Sequence, residues 1–215
     1  MAIESLDEHE QSERVRAWLK DNASNMLTGV ALGVAMIAGW HWWQNAQSEH
    51  QTTAAVQFNT LIEAASAKES DSVDAIAQSL RTEFADTPYA LLAGLRVARV
   101  KIDAGEPQAA RDALAAIDVS DQDQALAALV ALRIARLDLT LDKPTDALAT
   151  LQSISSDFGG LVDEARGDAL TALDRADDAR LAYQKALTVL DGGSPVYRTV
   201  QMKLDNLGVA AKPEV

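Results

Sequence analysis

The sequence predicts an all-α protein: one membrane-spanning helix near the N-terminus, then a stack of antiparallel helix pairs. Three observations point there. A charge-free apolar run lies early in the chain, no strand pattern follows it, and a set of small and apolar residues returns at offsets of 37 and then 32 positions. Composition agrees. Hydrophobic residues make up 48% of the 215 but aromatics only 5%, so Ala, Leu and Val must supply the packing. Ala and Leu are the best helix formers, and Ala lets helices approach closely. The chain has no cysteine, which excludes a disulfide framework, a thiol nucleophile and a Cys-type zinc site.

The apolar run reads MLTGVALGVAMIAGWHWW over residues 26–43, and no charge falls between Asp21 and Glu49. Residues 23–43 supply the roughly 20 apolar positions that a bilayer span requires. Trp40, Trp42 and Trp43 cluster at its end, where an amphipathic indole favours the headgroup boundary. A cleaved leader fits poorly, because the preceding segment is acidic overall and a site near Ala46 would place Gln44 at its −3 position. Arg14, Arg16 and Lys20 precede the run, and no Lys or Arg follows it until Lys68. The positive-inside bias then places the N-terminus in the cytoplasm and the rest beyond the inner membrane, in the periplasm of a Gram-negative-type cell. Gly29 and Gly33 form a GxxxG pair suited to close packing of membrane helices. Residues 1–22 divide into an acidic stretch, 1–9, expected to be disordered, and a short amphipathic helix, EQSERVRAWLKDN. Its Val15, Trp18 and Leu19 would lie on the cytoplasmic membrane surface.

From residue 44 to 207 the pattern is helical, broken at residues 86–88, 105–107, 142–144, 158–160 and 191–195 by Gly, Pro and Asp. These breaks leave segments of roughly 12–18 residues, a length suited to helical hairpins. The first copy of the repeat has Ala98, Ala110 and Leu114. An offset of 37 brings Ala135, Ala147 and Leu151, and a further 32 brings Gly167, Ala179 and Tyr183. A small residue, then 11 intervening positions, then Ala, then a large residue four further on is the tetratricopeptide pattern. The small residues mark the crossing of two antiparallel helices, and the large ones fill the space toward the next pair. The expected fold is a tetratricopeptide-like α-solenoid. Residues 46–84 add two helices, the first a stalk continuing from the anchor. Residues 195–207 form a capping helix and 208–215 a flexible tail.

Net charge is −13, and the part after residue 43 carries 16 basic and 26 acidic residues. No basic face is visible for nucleic acid. His9, His41 and His50 are too dispersed to converge, and no GxSxG, HExxH or phosphate-cradling glycine loop occurs. The expectation is a non-enzymatic protein without cofactor or metal. Asp163/Glu164 and Asp177/Asp178, with arginines nearby, read as solvated surface. Arg96, Arg99, Arg133 and Arg136 fall on the first helices of two repeats, where they can face the acidic or carbonyl groups of a partner.

The order of parts is distinctive: an EQ-x-E amphipathic helix, a glycine-rich anchor ending in Gly39-Trp40-His41-Trp42-Trp43, tetratricopeptide-like repeats, and VQMKLDNL at residues 200–207. Over nearly the whole chain this resembles the YfgM family, the ancillary SecYEG translocon subunits of proteobacteria. The resemblance implies a periplasmic repeat domain associated with the SecYEG translocon and the membrane-anchored prolyl isomerase PpiD. It also implies chaperone-like help to unfolded exported proteins and, in some members, control of an envelope-stress regulator. The chain departs from the family at residues 22–25, which lack the Gly and Lys often found there, and in the low aromatic content of its repeats. The competing readings of the same chain are an envelope scaffold or assembly factor, and a membrane-bound regulator of an envelope stress-response regulator acting through the cytoplasmic segment.

Overall fold

The computed structural model describes residues 2–120, 123–155 and 158–210, and among these are nine helices and no strand. The chain divides into two compact units, Met1–Thr53 and Ala54–Val215. Helix α1 (Ala2–Ser66) supplies all of the first and opens the second.

Within the first unit the disorder expected of residues 1–9 is corrected for residues 2–9, Met1 lying outside the described residues, and the helix expected at 10–22 is not separate: α1 starts at Ala2 and runs on unbroken. The reason lies in the composition. The first proline is Pro88, and the glycines at 29, 33 and 39 stand singly, each costing only about 1 kcal/mol against Ala. The 23–43 segment sits inside this helix. Its window of highest mean hydropathy reaches 1.4 with no residue buried, so the helix is long and apolar enough to cross a membrane.

The second unit is a series of hairpins. Helix α2 (Ser70–Glu83) is followed by α3 (Pro88–Asp103) and α4 (Pro107–Ala115), α5 (Gln124–Thr140) and α6 (Pro144–Gln152), α7 (Gly160–Ala172) and α8 (Ala176–Val189), and α9 (Pro195–Ala210). Proline opens α3, α4, α6 and α9, where its missing N–H is no loss and its fixed φ suits the first turn. Helices α4 and α6 have nine residues each, shorter than expected. Helix α9 reaches Ala210, past the expected end at residue 207, and residues 211–215 lie outside the described part.

One turn recurs through the unit. Lys68, Gly105, Asp142 and Asp174 all have positive φ, between 56° and 76°, and they stand at successive offsets of 37, 37 and 32. At each, an amide reaches back to a carbonyl five residues earlier: Glu69 to Ala64, Glu106 to Lys101, Lys143 to Asp138 and Arg175 to Leu170, at 2.8–3.0 Å. These are left-handed helix C-caps that satisfy otherwise orphaned carbonyls. The first of them shows that the end of α1 and α2 form a further hairpin of the same type. The sequence reading treats residues 46–84 as two helices outside the repeats, the first a stalk; Leu61 and Val73 stand at the positions that carry small residues in the later copies. Leu61, Val73 and Leu80 are fully buried there, each contributing about 1.5–3 kcal/mol.

The small and large repeat positions are buried throughout: Ala98, Ala110 and Leu114, then Ala135, Ala147 and Leu151, then Gly167, Ala179 and Tyr183. Leu114 joins Val130 and Leu137 of the next pair, and Leu151 joins Val162, Ala165 and Ala169. A Cβ on Gly167 would run into the Tyr183 ring. The third repeat thus combines the smallest small residue with the largest large one, where the others combine Ala with Leu.

A further correspondence links one hairpin to the next. Asp74 of α2 meets Lys101 of α3 at 2.7 Å. At an offset of 37, Arg111 of α4 meets Asp138 of α5, also at 2.7 Å, with the polarity reversed. At the third junction the equivalent positions are Leu148 and Leu170, and Leu148 packs against the cluster that contains Leu170. Hydrogen bonds to Asp74 and Asp138 hold Lys101 and Arg111 above their ordinary pKa values, outweighing desolvation.

Candidate partner-binding face

The first helices of the pairs, α3, α5 and α7, carry the residues singled out for partner binding. Arg99 Nε donates to Asp103 Oδ2 at 3.0 Å, and both side chains are exposed. Arg136 Nη2 donates to Glu164 Oε2 of α7 at 3.1 Å. Arg133 is exposed and has no hydrogen-bond or ion-pair partner among the described residues. Arg96 is half-buried, and its Nε is buried without a partner. The fold therefore engages Arg99 and Arg136 within the chain and leaves Arg96 and Arg133 available.

Asp163 and Glu164 correct the sequence reading. Both are buried, at 3% and 8% exposure. Asp163 Oδ1 accepts from Arg166 Nη1 at 2.8 Å and Lys185 Nζ at 3.2 Å. Arg166 Nη2 also donates to the Leu151 and Ile154 carbonyls at 2.8 and 3.1 Å, capping the end of α6. Glu164 is held from both sides, by Arg136 of α5 and by Lys203 Nζ of α9 at 3.0 Å. Lys203 also reaches Asp168 at 2.7 Å, and Tyr183 Oη donates to Asp168 Oδ1 at 2.7 Å. Burial is tolerated because each carboxylate has more than one charged or hydroxyl donor. Asp177 and Asp178 do meet the solvated reading, in exposed pairs with Arg180 and Arg175.

This network is sensitive to alkali. Burial opposes the charge on Lys203, but its bonds to Asp168 and Glu164 outweigh that and hold its pKa above the ordinary 10.5. Burial, reinforced by Asp168 and opposed by Thr171, pushes the Tyr183 phenol above the ordinary 10.0. Both groups bind their protons more tightly folded than unfolded. Their contribution to stability is full below the unfolded pKa values and lost as pH rises through the folded ones. The unfolding temperature should hold level to about pH 10 and fall beyond it, where the unfolded groups begin to titrate. Ultraviolet absorbance should show a tyrosinate transition above the ordinary phenol range that disappears in Tyr183→Phe. A difference spectrum between wild type and Tyr183→Phe with its midpoint at the ordinary phenol pKa would contradict the arrangement.

In the membrane-length helix nothing among the described residues lies within 4 Å of a Cβ built on Gly29 or Gly33. Trp40 and Trp43 stack at 5.3 Å between ring centroids, tilted by 43°. His41 and His50 lie on α1, and the side chain of His9 is outside the described part. No group of three or more His, Asp or Glu among the described residues is placed to hold a metal.

Sequence reasoning missed Lys203 and the partners of Glu164, since they come from helices 28 and 39 residues away. It also missed Leu92, Leu129 and Leu161, which the offsets of 37 and 32 place at one repeat position.

Known proteins are similar in sequence to this chain over nearly all of its length. An ancillary SecYEG translocon subunit of Escherichia coli (strain K12) is 29% identical over 204 residues, covering 94% of this chain and 98% of the relative. Proteins of the same name from Haemophilus influenzae and Neisseria gonorrhoeae are each 26% identical, with the same coverage of both chains. A family model described as a tetratricopeptide repeat-like domain matches residues 16–209, a span that takes in the membrane-length helix as well as every hairpin. The chain belongs to the tetratricopeptide repeat-like domain family.

Proposed function

We propose that the protein is a non-enzymatic accessory subunit of the SecYEG translocon. It is anchored in the inner membrane by residues 23–43, with its N-terminus in the cytoplasm and its repeat domain in the periplasm. There it acts as a chaperone-like binding module for newly exported chains, together with the prolyl isomerase PpiD. The observation that carries this reading is the alignment with ancillary SecYEG translocon subunits over nearly the full length of both chains, apolar helix included. The cation asymmetry around that helix supports the orientation.

Mild solubilisation of membranes and isolation through a C-terminal tag should recover the translocon and PpiD. Recovery of a different envelope complex without the translocon would overturn the assignment in favour of a scaffold. Orientation is testable separately, because the chain has no cysteine of its own. Leu181→Cys, at an exposed site in α8, should react with an impermeant maleimide added from the periplasmic side, and Val15→Cys should be protected. The reverse labelling pattern would invert the topology.

A further inference from the structure

The first junction between hairpins lacks the side chain that fills the later ones. Leu114, Leu151 and Tyr183 hold the large repeat position and are buried. One offset of 37 before Leu114 the same position is Ala77 of α2, and a cavity of about 250 Å³ stands there. Helix α3 packs against both α2 and α4 and forms the floor of this cavity. Its walls come from α2 and α4, the second helices of their hairpins. Ala77, Ala90, Gly94 and Ala113 keep it open, and Leu91 and Val97 make its surface apolar. Leu61 and Val73, large where the later repeats are small, are not among its lining residues, so the bulk they add to the first hairpin does not fill it. Protein interiors keep few voids larger than a water molecule, and an unfilled apolar one lowers stability. The mouth is polar, because Gln78, Arg81 and Asp118 are exposed lining residues. Arg81 donates to the neutral Gln78 Oε1. Asp118 Oδ1 accepts from Ser120 N and Oγ at 3.0 and 2.6 Å. Asp74, the other charged lining residue, is closed by Lys101 at 2.7 Å. Arg81 and Asp118 are left with opposite charges, so a ligand of either net charge meets one group that attracts it and one that repels it.

We propose that this cavity binds a compact, net-neutral amphiphilic small molecule. Its apolar body has the size of a bicyclic aromatic ring, and it carries hydrogen-bonding groups at one edge. The size follows from the volume. An apolar cavity of about 150 Å³ holds benzene, so one of about 250 Å³ has room for a second fused ring. It stays below the roughly 300–1,000 Å³ of sites for drug-sized ligands. The polar edge follows from the mouth, where Arg81 and Gln78 offer donors and Asp118 offers acceptors. Neutrality follows from the balance of Arg81 against Asp118. The position of the site follows from Ala77, since a leucine there, as at Leu114, would occupy the space.

The test titrates full-length protein in nanodiscs with indole-3-acetamide, indole-3-acetate and tryptamine by calorimetry, with empty nanodiscs as the blank. The neutral amide should bind saturably, and both ions should bind at least about tenfold more weakly. Arg81→Gln should bring tryptamine ahead of indole-3-acetate, and Asp118→Asn should bring indole-3-acetate ahead of tryptamine. Ala77→Leu restores the large residue of the later junctions and should weaken the amide by at least about tenfold. Where Ala77→Leu folds poorly, Ala116→Phe decides, because Ala116 is an exposed lining residue and a ring there should occlude the cavity. Ala115→Phe is its control, exposed beside it but outside the lining, and should bind as wild type does. Absence of saturable wild-type binding, or an affinity for either ion equal to that for the amide, would overturn the site. So would one order of the two ions in both charge variants, wild-type affinity in Ala77→Leu or Ala116→Phe, or an equal loss in Ala115→Phe.

Discussion

Replacing Arg111 with Leu is expected to destabilise the repeat domain by about 3–5 kcal/mol, and replacing Asp138 with Leu as well should recover most of that loss. Asp138 is wholly buried on α5, and one of its oxygens, Oδ2, already has no hydrogen-bond partner. The 2.7 Å bond from Arg111 Nε to Oδ1 is the charged contact that compensates its burial. Without Arg111 a carboxylate remains in an apolar junction with nothing to offset its desolvation. The double variant removes both charges and recreates the Leu148 and Leu170 arrangement that the next junction already uses. Urea unfolding of wild type, Arg111→Leu, Asp138→Leu and the double variant, followed by far-ultraviolet circular dichroism, measures the coupling. A double variant no more stable than Arg111→Leu would show that the pair contributes something an apolar contact does not replace.

The reversed polarity of the two ionic junctions suggests what that contribution is. Slipping the stack by one hairpin would bring Asp74 against Asp138, or Lys101 against Arg111. Like charges in a half-buried junction oppose such misregistry. Should the double variant match wild type in stability but refold to a mixture of states, register would be the reason the charges are kept.

Gly167→Ala is expected to destabilise by about 1–3 kcal/mol, although Ala is the better helix former by about 1 kcal/mol. The clash must therefore exceed the propensity gain for any loss to be seen. The added methyl would meet the Tyr183 ring. That ring is fixed by the bond from its hydroxyl to Asp168 and by burial at 2% exposure, so it has little room to move. Tyr183→Leu should itself destabilise, by removing the ring and its hydrogen bond. Combined with Gly167→Ala it should cost less than the sum of the singles, because Ala with Leu is the pairing at Ala98/Leu114 and Ala135/Leu151. The readout is a thermal double-mutant cycle. A more stable Gly167→Ala would mean that the ring yields and that the two positions do not set one another's size.

The hairpin architecture was largely legible before any coordinates, because its signals are short-range. Proline at the first helical position, turns at Gly105 and Asp142, and small residues 12 positions apart express local sterics that a linear reading detects, whereas the turn at Asp174 has no Gly or Pro to mark it and emerges only from the backbone. Where Leu61 and Val73 stand at the small positions, residues 46–84 read as two helices outside the repeats, although the turn at Lys68 obeys the same geometry. Continuity of α1 through residues 2–22 is missed for a related reason: polar composition speaks for solubility, but helix breakers decide where a helix stops.

By itself, then, the sequence determined the all-α class, the membrane-length helix, the positions of most turns and the small-and-large code of three repeats. Only the tertiary structure decided which charges are surface and which are structure. Asp138, Asp163 and Glu164 look like ordinary exposed acids in a chain with 32 of them. Their burial depends on Arg111, Lys185, Arg136 and Lys203, which lie 22–39 residues away. It likewise decided that Arg99 and Arg136 are paired within the chain while Arg96 and Arg133 have no ion pair among the described residues. Helix and turn preferences are settled among neighbours within a few positions. The cost of burying a charge is settled by whatever side chains the completed stack brings to it.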